Sequence, residues 1–153
     1  MKIPVITLLL LSAMSLSLPV SASQVVVVDA WTRVSMPGQR VGGVYMKIQA
    51  NQNARLVGVS STAVPKIEVH EMKMDGSVMR MREVQAIYLP KGELVSLEPG
   101  GLHIMLKDLK KPIAEGEVIP ITLFVEADGK LEKLDVMVRA RSAGSANHSH
   151  EHH

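Results

Sequence analysis

Cysteine is absent from this 153-residue sequence, and aromatic residues make up only 3% of it. Without cysteine there can be no thiol nucleophile, no thiolate zinc site and no blue-copper centre, since that centre needs a cysteine sulfur. No disulfide can stabilise the fold, so its stability has to come from a hydrophobic core or from a ligand. The scarce aromatic residues offer no platform on which bases or sugars would stack.

A strong charge of either sign is also missing. The formal net charge is +2, from 17 basic and 15 acidic residues. This balance gives no basic footprint for nucleic acid, so no nucleic-acid partner is expected. No Ser-His-Asp, paired-carboxylate or His-Glu-x-x-His pattern stands out, which predicts that the protein is not an enzyme.

Long apolar runs are confined to the start of the chain. Lys2 is followed by an almost wholly apolar stretch, Ile3 to Leu18, and then by the small residues Val20-Ser21-Ala22. This order is typical of a cleaved signal peptide, which we assign to residues 1–22. The apolar stretch is shorter than the ~20 residues that a membrane span needs. We therefore expect export to the periplasm and no membrane span after cleavage.

The region from residue 23 to residue 141 is predicted to be a single all-β domain. Its apolar residues are mostly β-branched and mostly alternate with polar ones, and turn-forming pairs such as Asp75-Gly76 separate the runs. About seven to nine short strands at this spacing favour an antiparallel sandwich or barrel. The predicted strands are 24–29, 44–49, 56–59, 66–72, 78–84, 94–97, 102–106, 119–126 and 131–139.

Methionine is unusually common, with ten residues in the sequence. Eight of them follow the predicted signal peptide, and four of these fall between Met72 and Met81. The predicted domain contains two histidines, His70 and His103, and each has a methionine two positions later. Because residues two apart on a strand point to the same face, His103 projects together with Met105, and His70 with Met72.

Two imidazoles with one or more thioethers form a soft, neutral ligand set. Thioether sulfur selects Cu(I) and suits zinc, calcium or magnesium poorly. A single methionine on a strand is usually core filler, and a single histidine is usually a satisfied polar residue. The repeated His-x-Met pairing favours a metal site instead. Chemistry alone does not choose among the methionines 72, 74, 79 and 81.

The spacing of these residues resembles the signature of a known family. Ten residues separate His70 from Met81, twenty-one separate Met81 from His103, and one separates His103 from Met105. This H-x10-M-x21-H-x-M pattern is similar to that of the periplasmic PCu(A)C copper chaperones. The stretches 36–45, 69–82 and 100–106 also resemble that family, and the likeness extends over about residues 24–140.

The resemblance implies a cupredoxin-like Greek-key β-sandwich that binds Cu(I) through His70, Met81, His103 and Met105. Met72 and Met79 are secondary candidates. It implies a monomeric metallochaperone that delivers copper to envelope cuproenzymes, above all to the Cu(A) site in subunit II of cytochrome c oxidase. Another copper chaperone is a further candidate partner. The alternatives are a periplasmic copper sequestration or tolerance protein, and a structural sandwich domain whose Met and His are incidental.

Residues 142–153 are predicted to be a flexible tail, because Ser, Ala, Gly and Asn precede its histidines. Imidazoles in such a tail can gather Cu(II), which makes the tail a secondary metal-site candidate. Its histidines are His148, His150, His152 and His153. The alternative is a tail that binds metal without specificity. Trp31, at the end of the first strand pattern, is expected in the core.

Overall fold

The computed structural model describes residues 23–142, so the predicted signal peptide and the tail histidines lie outside the described residues. All regular secondary structure in this range is β-strand, and within it there is no helix long and apolar enough to cross a membrane. The strands are β1 (Val25–Arg33), β2 (Gly42–Ala50), β3 (Ala54–Ser60), β4 (Lys66–Asp75), β5 (Val78–Glu83), β6 (Ile87–Leu89), β7 (Leu94–Leu97), β8 (Leu102–Lys107), β9 (Val118–Ala127) and β10 (Lys130–Arg141).

The strands form one continuous hydrogen-bonded path in the order β5-β4-β8-β2-β1-β10-β9-β3-β6, and β7 pairs with β2. Every pairing between named strands is antiparallel except that of β1 with β10. The path does not close, and its two halves share one hydrophobic core. The predicted all-β, cupredoxin-like sandwich is confirmed, with ten strands in the described range instead of seven to nine.

The core is built by alternation along the strands. In β9, the side chains of Ile119, Ile121, Leu123 and Val125 are buried while the residues between them are more accessible. Strand β8 follows the same rule, since Ile104 and Leu106 are completely buried. Strand residues two apart share a face, so each strand presents one apolar face to the core and a second face to the outside.

Strand β5 is the exception, because all six of its residues are exposed. It forms a hairpin with β4 in which Asp75 faces Val78, so that Gly76 and Ser77 make a two-residue loop. Gly76 has a φ of +64°, a conformation that costs glycine little and other residues much. The hairpin predicted around Asp75-Gly76 is therefore confirmed, and its second strand lies at one end of the path, beyond the core.

Candidate metal centre

The two histidines of the predicted domain face each other on adjacent strands. In the antiparallel pairing of β4 with β8, His70 lies directly opposite His103. Their ring centroids are 5.8 Å apart, with a 48° angle between the ring planes. Both rings are largely buried: His103 is 5% exposed, and the side chain of His70 is 13% exposed. The fold thus places two imidazoles, separated by 32 residues in the sequence, side by side.

Methionines continue this face of the sheet on both sides of the histidine pair. On β8, Met105 shares the face of His103 and pairs with Glu68 across the strands. On the other side, Met72 follows His70 along β4 and lies directly opposite Met81 on β5. Met81 therefore sits diagonally from His70, at a spacing of about 7–8 Å between cross-strand diagonal neighbours, within reach of long side chains.

The intervening residues of the same strands anchor this face to the core. Val69 lies opposite Ile104, and both are buried. Leu106, two positions after Ile104, is also completely buried. Because alternate residues point to opposite faces, packing these apolar side chains into the core places His70 and His103 on the other face of the sheet. The packing of the core thereby determines the face of the sheet on which the two histidines lie.

His70 is held in place by Glu68, two positions before it on the same face. The Nε2 atom of His70 lies 2.7 Å from the Glu68 carboxylate. That carboxylate also pairs with Lys66 at 2.9 Å and with Lys107 at 3.2 Å. The hydrogen bonds from Lys66, His70 and Lys107 lower the pKa of the Glu68 carboxyl to about 2, against the opposing effect of burial. Glu68 is therefore an ionised acceptor at neutral pH.

Hydrogen bonds also determine the tautomers of both rings. Because a carboxylate can only accept, Nε2 of His70 carries the proton, and its lone pair is on Nδ1. In His103, Nδ1 donates to the backbone carbonyl of Gly101 at 3.0 Å, which leaves the lone pair on Nε2. Each ring is thus oriented by a hydrogen bond from one nitrogen and keeps its second nitrogen for a metal ion, the arrangement usual for metal-binding histidines.

The chemistry of His70 gives a direct test of whether a metal fits. Its Nδ1 atom is buried and has no hydrogen-bond partner among residues 23–142. Leaving a buried acceptor unsatisfied costs about 1–3 kcal/mol, so such atoms are rare in folded proteins. A metal ion bound at Nδ1 would satisfy this atom. The residues present therefore fit a metal ion at the histidine pair.

Carboxylates do not complete the site. Among the described residues, no group of three or more His, Asp or Glu side chains could hold a metal ion. The neutral donors beside the histidine pair are thioethers, and thioethers with imidazoles favour Cu(I). The accessibility of these sulfurs differs: Met81 is 48% exposed, whereas Met105 is partly buried.

An aromatic wall beside the site was not predicted from the sequence. Gly43 pairs with Met105, and a Cβ atom added to Gly43 would come within about 3 Å of the Tyr45 ring. Because Gly43 has no side chain, the Tyr45 ring can lie along β2 over Gly43, next to Met105 on the paired strand. Trp31 packs on Tyr45 with ring centroids 4.7 Å apart, and its ring is covered by Arg141. The expectation that Trp31 lies in the core is wrong.

The structure therefore brings three of the four primary candidates, His70, His103 and Met105, onto paired strands and places the fourth, Met81, on the next strand with the same facing. The secondary candidates Met72 and Met79 share this face. The tail histidines lie outside the described residues.

Comparison with known proteins identifies relatives of this arrangement. The model of a family described as "Putative lipoprotein LpqE-like" matches residues 25–138. The protein "Putative lipoprotein Lxx21020" of Leifsonia xyli subsp. xyli (strain CTCB07) is 30% identical over 128 residues, which is 83% of this chain and 76% of that protein.

Solved structures share the fold. The Cu(I) form of DR1885 from Deinococcus radiodurans is 26% identical, with a TM-score of 0.56 over 76% of this chain and 79% of that one. The copper-bound PCuAC domain from PmoF2 has a TM-score of 0.63 at 24% identity and covers 80% of this chain and 96% of that domain. These structural neighbours are copper-binding PCuAC domains.

Proposed function

The chain belongs to the LpqE-like family, which is the PCu(A)C family, and from that premise we propose that it is a periplasmic Cu(I) carrier. His70, Met81, His103 and Met105 hold the ion, with Met72 and Met79 as secondary donors. The carrier delivers copper to envelope cuproenzymes, and the Cu(A) site of cytochrome c oxidase is the client we favour. The protein acts by binding and exchange, without catalytic turnover.

One observation carries this proposal. The unpartnered, buried Nδ1 of His70 lies on a ring directly opposite His103, with methionines on the same face at both sides. A neutral set of donors suits a monovalent ion, because little buried charge is left uncompensated. That DR1885 has been solved with Cu(I) and the PmoF2 domain with copper supports the choice of metal.

The unequal exposure of the ligands favours transfer over storage. His70, His103 and Met105 lie on strands that are paired on both sides. Met81, by contrast, is half exposed on the strand at the end of the path, outside the core. An exposed thioether can be exchanged for a ligand of an incoming partner while the buried donors still hold the ion. A site designed only to sequester copper gains nothing from this accessible side.

A Cu(I) titration of the purified protein against a colorimetric Cu(I) competitor tests the ligand assignment. We expect one tight equivalent that is lost in a His103→Ala, Met105→Leu double variant. The matched control changes exposed methionines that lie outside β4, β5 and β8, Met36→Leu with Met137→Leu, and keeps that equivalent. Circular dichroism verifies that each variant folds. Retention of the tight equivalent in the double variant would contradict the assignment.

The client is tested separately in a deletion strain. If the protein serves the oxidase, the strain loses cytochrome c oxidase activity at low copper, and added copper restores it. A strain that keeps its oxidase but fails to grow at high copper would instead support a tolerance role. The tail is part of the proposal as a Cu(II)-gathering segment, and deleting residues 142–153 should then lower Cu(II) uptake while leaving the Cu(I) equivalent intact.

A further inference from the structure

The β4–β5 hairpin separates its side chains into two chemically different faces. On one face, Arg82 pairs with Glu71 at 2.8 Å, and Arg80 pairs with Asp75 at 2.7 Å. The other face carries four methionines in two directly opposed pairs, Met72 with Met81 and Met74 with Met79. From Met72 to Met81, charged groups and thioethers thus lie on opposite faces, and the carboxylates on the methionine face, Glu68 and Glu83, lie beside His70.

Core packing does not explain the methionine face. Met74, Met79 and Met81 are 56%, 46% and 48% exposed, and no residue of β5 is buried. An exposed strand at the end of a sheet is ordinarily protected by charged or polar side chains. Here one face has that protection, while the opposite face presents a row of soft, apolar sulfur atoms to solvent.

The row is continuous with the proposed copper site. Along β4, the face runs from His70 to Met72 and then to Met74, just before the turn. Consecutive residues on one strand face are about 7 Å apart, so each step of the row has this length. Opposed residues have Cβ atoms about 4.5–5.5 Å apart, which lets the two long, flexible thioethers of a pair converge on one ion.

We propose that Met74 and Met79 form a second, weaker Cu(I) site that receives copper at the tip of the hairpin and passes it to the histidine site through Met72 and Met81. This inference rests on the proposed function and adds a route to it. Copper remains Cu(I) throughout, and each step exchanges thioether donors for other thioethers or, at the histidine site, for the lone pair of an imidazole nitrogen, so no electron or proton is transferred. A pair without imidazole binds more weakly, which keeps the ion moving inward.

The test for the second site is NMR of the purified protein carrying ¹³C-methyl methionine, with tail histidines 148, 150, 152 and 153 replaced by alanine and Cu(I) added without oxygen. The first equivalent should shift the signals of Met81 and Met105. The second should shift those of Met74 and Met79, while those of Met36 and Met137, both exposed elsewhere, stay in place. Single Met→Leu variants assign the signals.

The outcomes separate the two hypotheses. A first equivalent that leaves Met81 and Met105 unshifted overturns the carrier site and the route with it. If those signals shift but the second equivalent leaves Met74 and Met79 unchanged, the route alone is overturned. The same holds if all four signals shift together with the first equivalent, because the outer pair is then part of the primary site.

Transfer kinetics test the route itself. A Met74→Leu variant should keep the equilibrium affinity for the first Cu(I) but exchange it with a chelator about three- to tenfold more slowly, because one of the two thioethers of the capture site is lost. The matched control Met137→Leu should exchange at the unmodified rate. Equal rates for Met74→Leu and the unmodified protein would overturn the route even if the second site binds copper.

Discussion

Two long hairpins of this chain have similar sequences at their turns but opposite roles. The β4–β5 hairpin turns at Asp75-Gly76, and the β9–β10 hairpin turns at Asp128-Gly129. In β9 and β10, every second residue along much of the strand is buried in the core. In β5 none is, and the methionines of that hairpin remain accessible. Alternation thus serves stability in one hairpin and leaves side chains free for chemistry in the other.

In this small domain, the residues that stabilise the fold and the residues that we expect to exchange copper lie on different hairpins. Substitutions of the buried residues of the β9–β10 hairpin should change the free energy of unfolding, whereas substitutions of the β4–β5 methionines should change copper binding or exchange alone. Since the two hairpins lie toward opposite ends of the strand path, their effects should be nearly additive.

The largest effect is expected for Leu123→Ala in β9, because Leu123 is completely buried. Removing its isobutyl group leaves a cavity, which should lower the free energy of unfolding by about 3 kcal/mol and the Tm by roughly 10 °C. Urea unfolding and calorimetry measure both quantities. The folded fraction should still bind one tight Cu(I), and a large loss of affinity in folded protein would show that the two hairpins are not independent.

Met81→Leu should show the opposite pattern. Leucine has a similar volume and β5 contributes nothing to the core, so the free energy of unfolding should change by less than about 0.5 kcal/mol. Loss of the thioether should weaken Cu(I) binding about 10- to 100-fold, which corresponds to about 1.4–2.7 kcal/mol. Met137→Leu, at an exposed position on β10, is the matched control and should change neither quantity.

Much of this contrast could be predicted from the sequence, because it depends on local signals. Period-two alternation and the Asp-Gly pair indicated β4, β5 and their hairpin, and placed His103 with Met105 on one face. Strand β6 was missed because its three residues, Ile87–Leu89, are too short for the alternation to be distinguished from a loop.

Non-local features could not be predicted in the same way. Nothing near His70 in the sequence indicates that His103 lies opposite it, since that pairing depends on how β4 and β8 meet across the fold. The aromatic wall stands beside the site only because Gly43 pairs with Met105, and this too is a pairing between strands that are distant in the sequence. The exposure of β5 was also hidden, because its alternation resembles that of a strand with one face on the core.

Acid should lower the stability of the fold through Glu117, which directly precedes β9. The backbone N–H of Ala114 and the ammonium of Lys111 hydrogen-bond to its carboxylate and lower its pKa below the usual 4.5. A lowered folded-state pKa gives stability that is present above about pH 4.5 and is lost as the pH falls through the folded value. Glu117→Gln should therefore lower the free energy of unfolding by about 1 kcal/mol or less at pH 7.

That difference should shrink as the pH falls below 4.5, and urea unfolding at pH 7, 5 and 3 measures it. The control is Glu115→Gln, an exposed neighbour in the same loop, which should have little effect at any of these values. A Glu117→Gln deficit that stays constant from pH 7 to pH 3 would contradict the assigned cause.

The smallest effect is expected in the fluorescence of Trp31, the one tryptophan in the sequence. Its ring contacts Tyr45, and Tyr45 lies across Gly43 beside Met105, so copper at the histidine site should alter its surroundings only indirectly. We expect a modest emission change that saturates at one Cu(I) equivalent and disappears in the His103→Ala variant. Tyr45→Leu should abolish the change while Cu(I) still binds, because it removes the ring that links the two positions. A change that persists in that variant would mean that Trp31 senses copper by another path, and the aromatic wall would then have no part in the site.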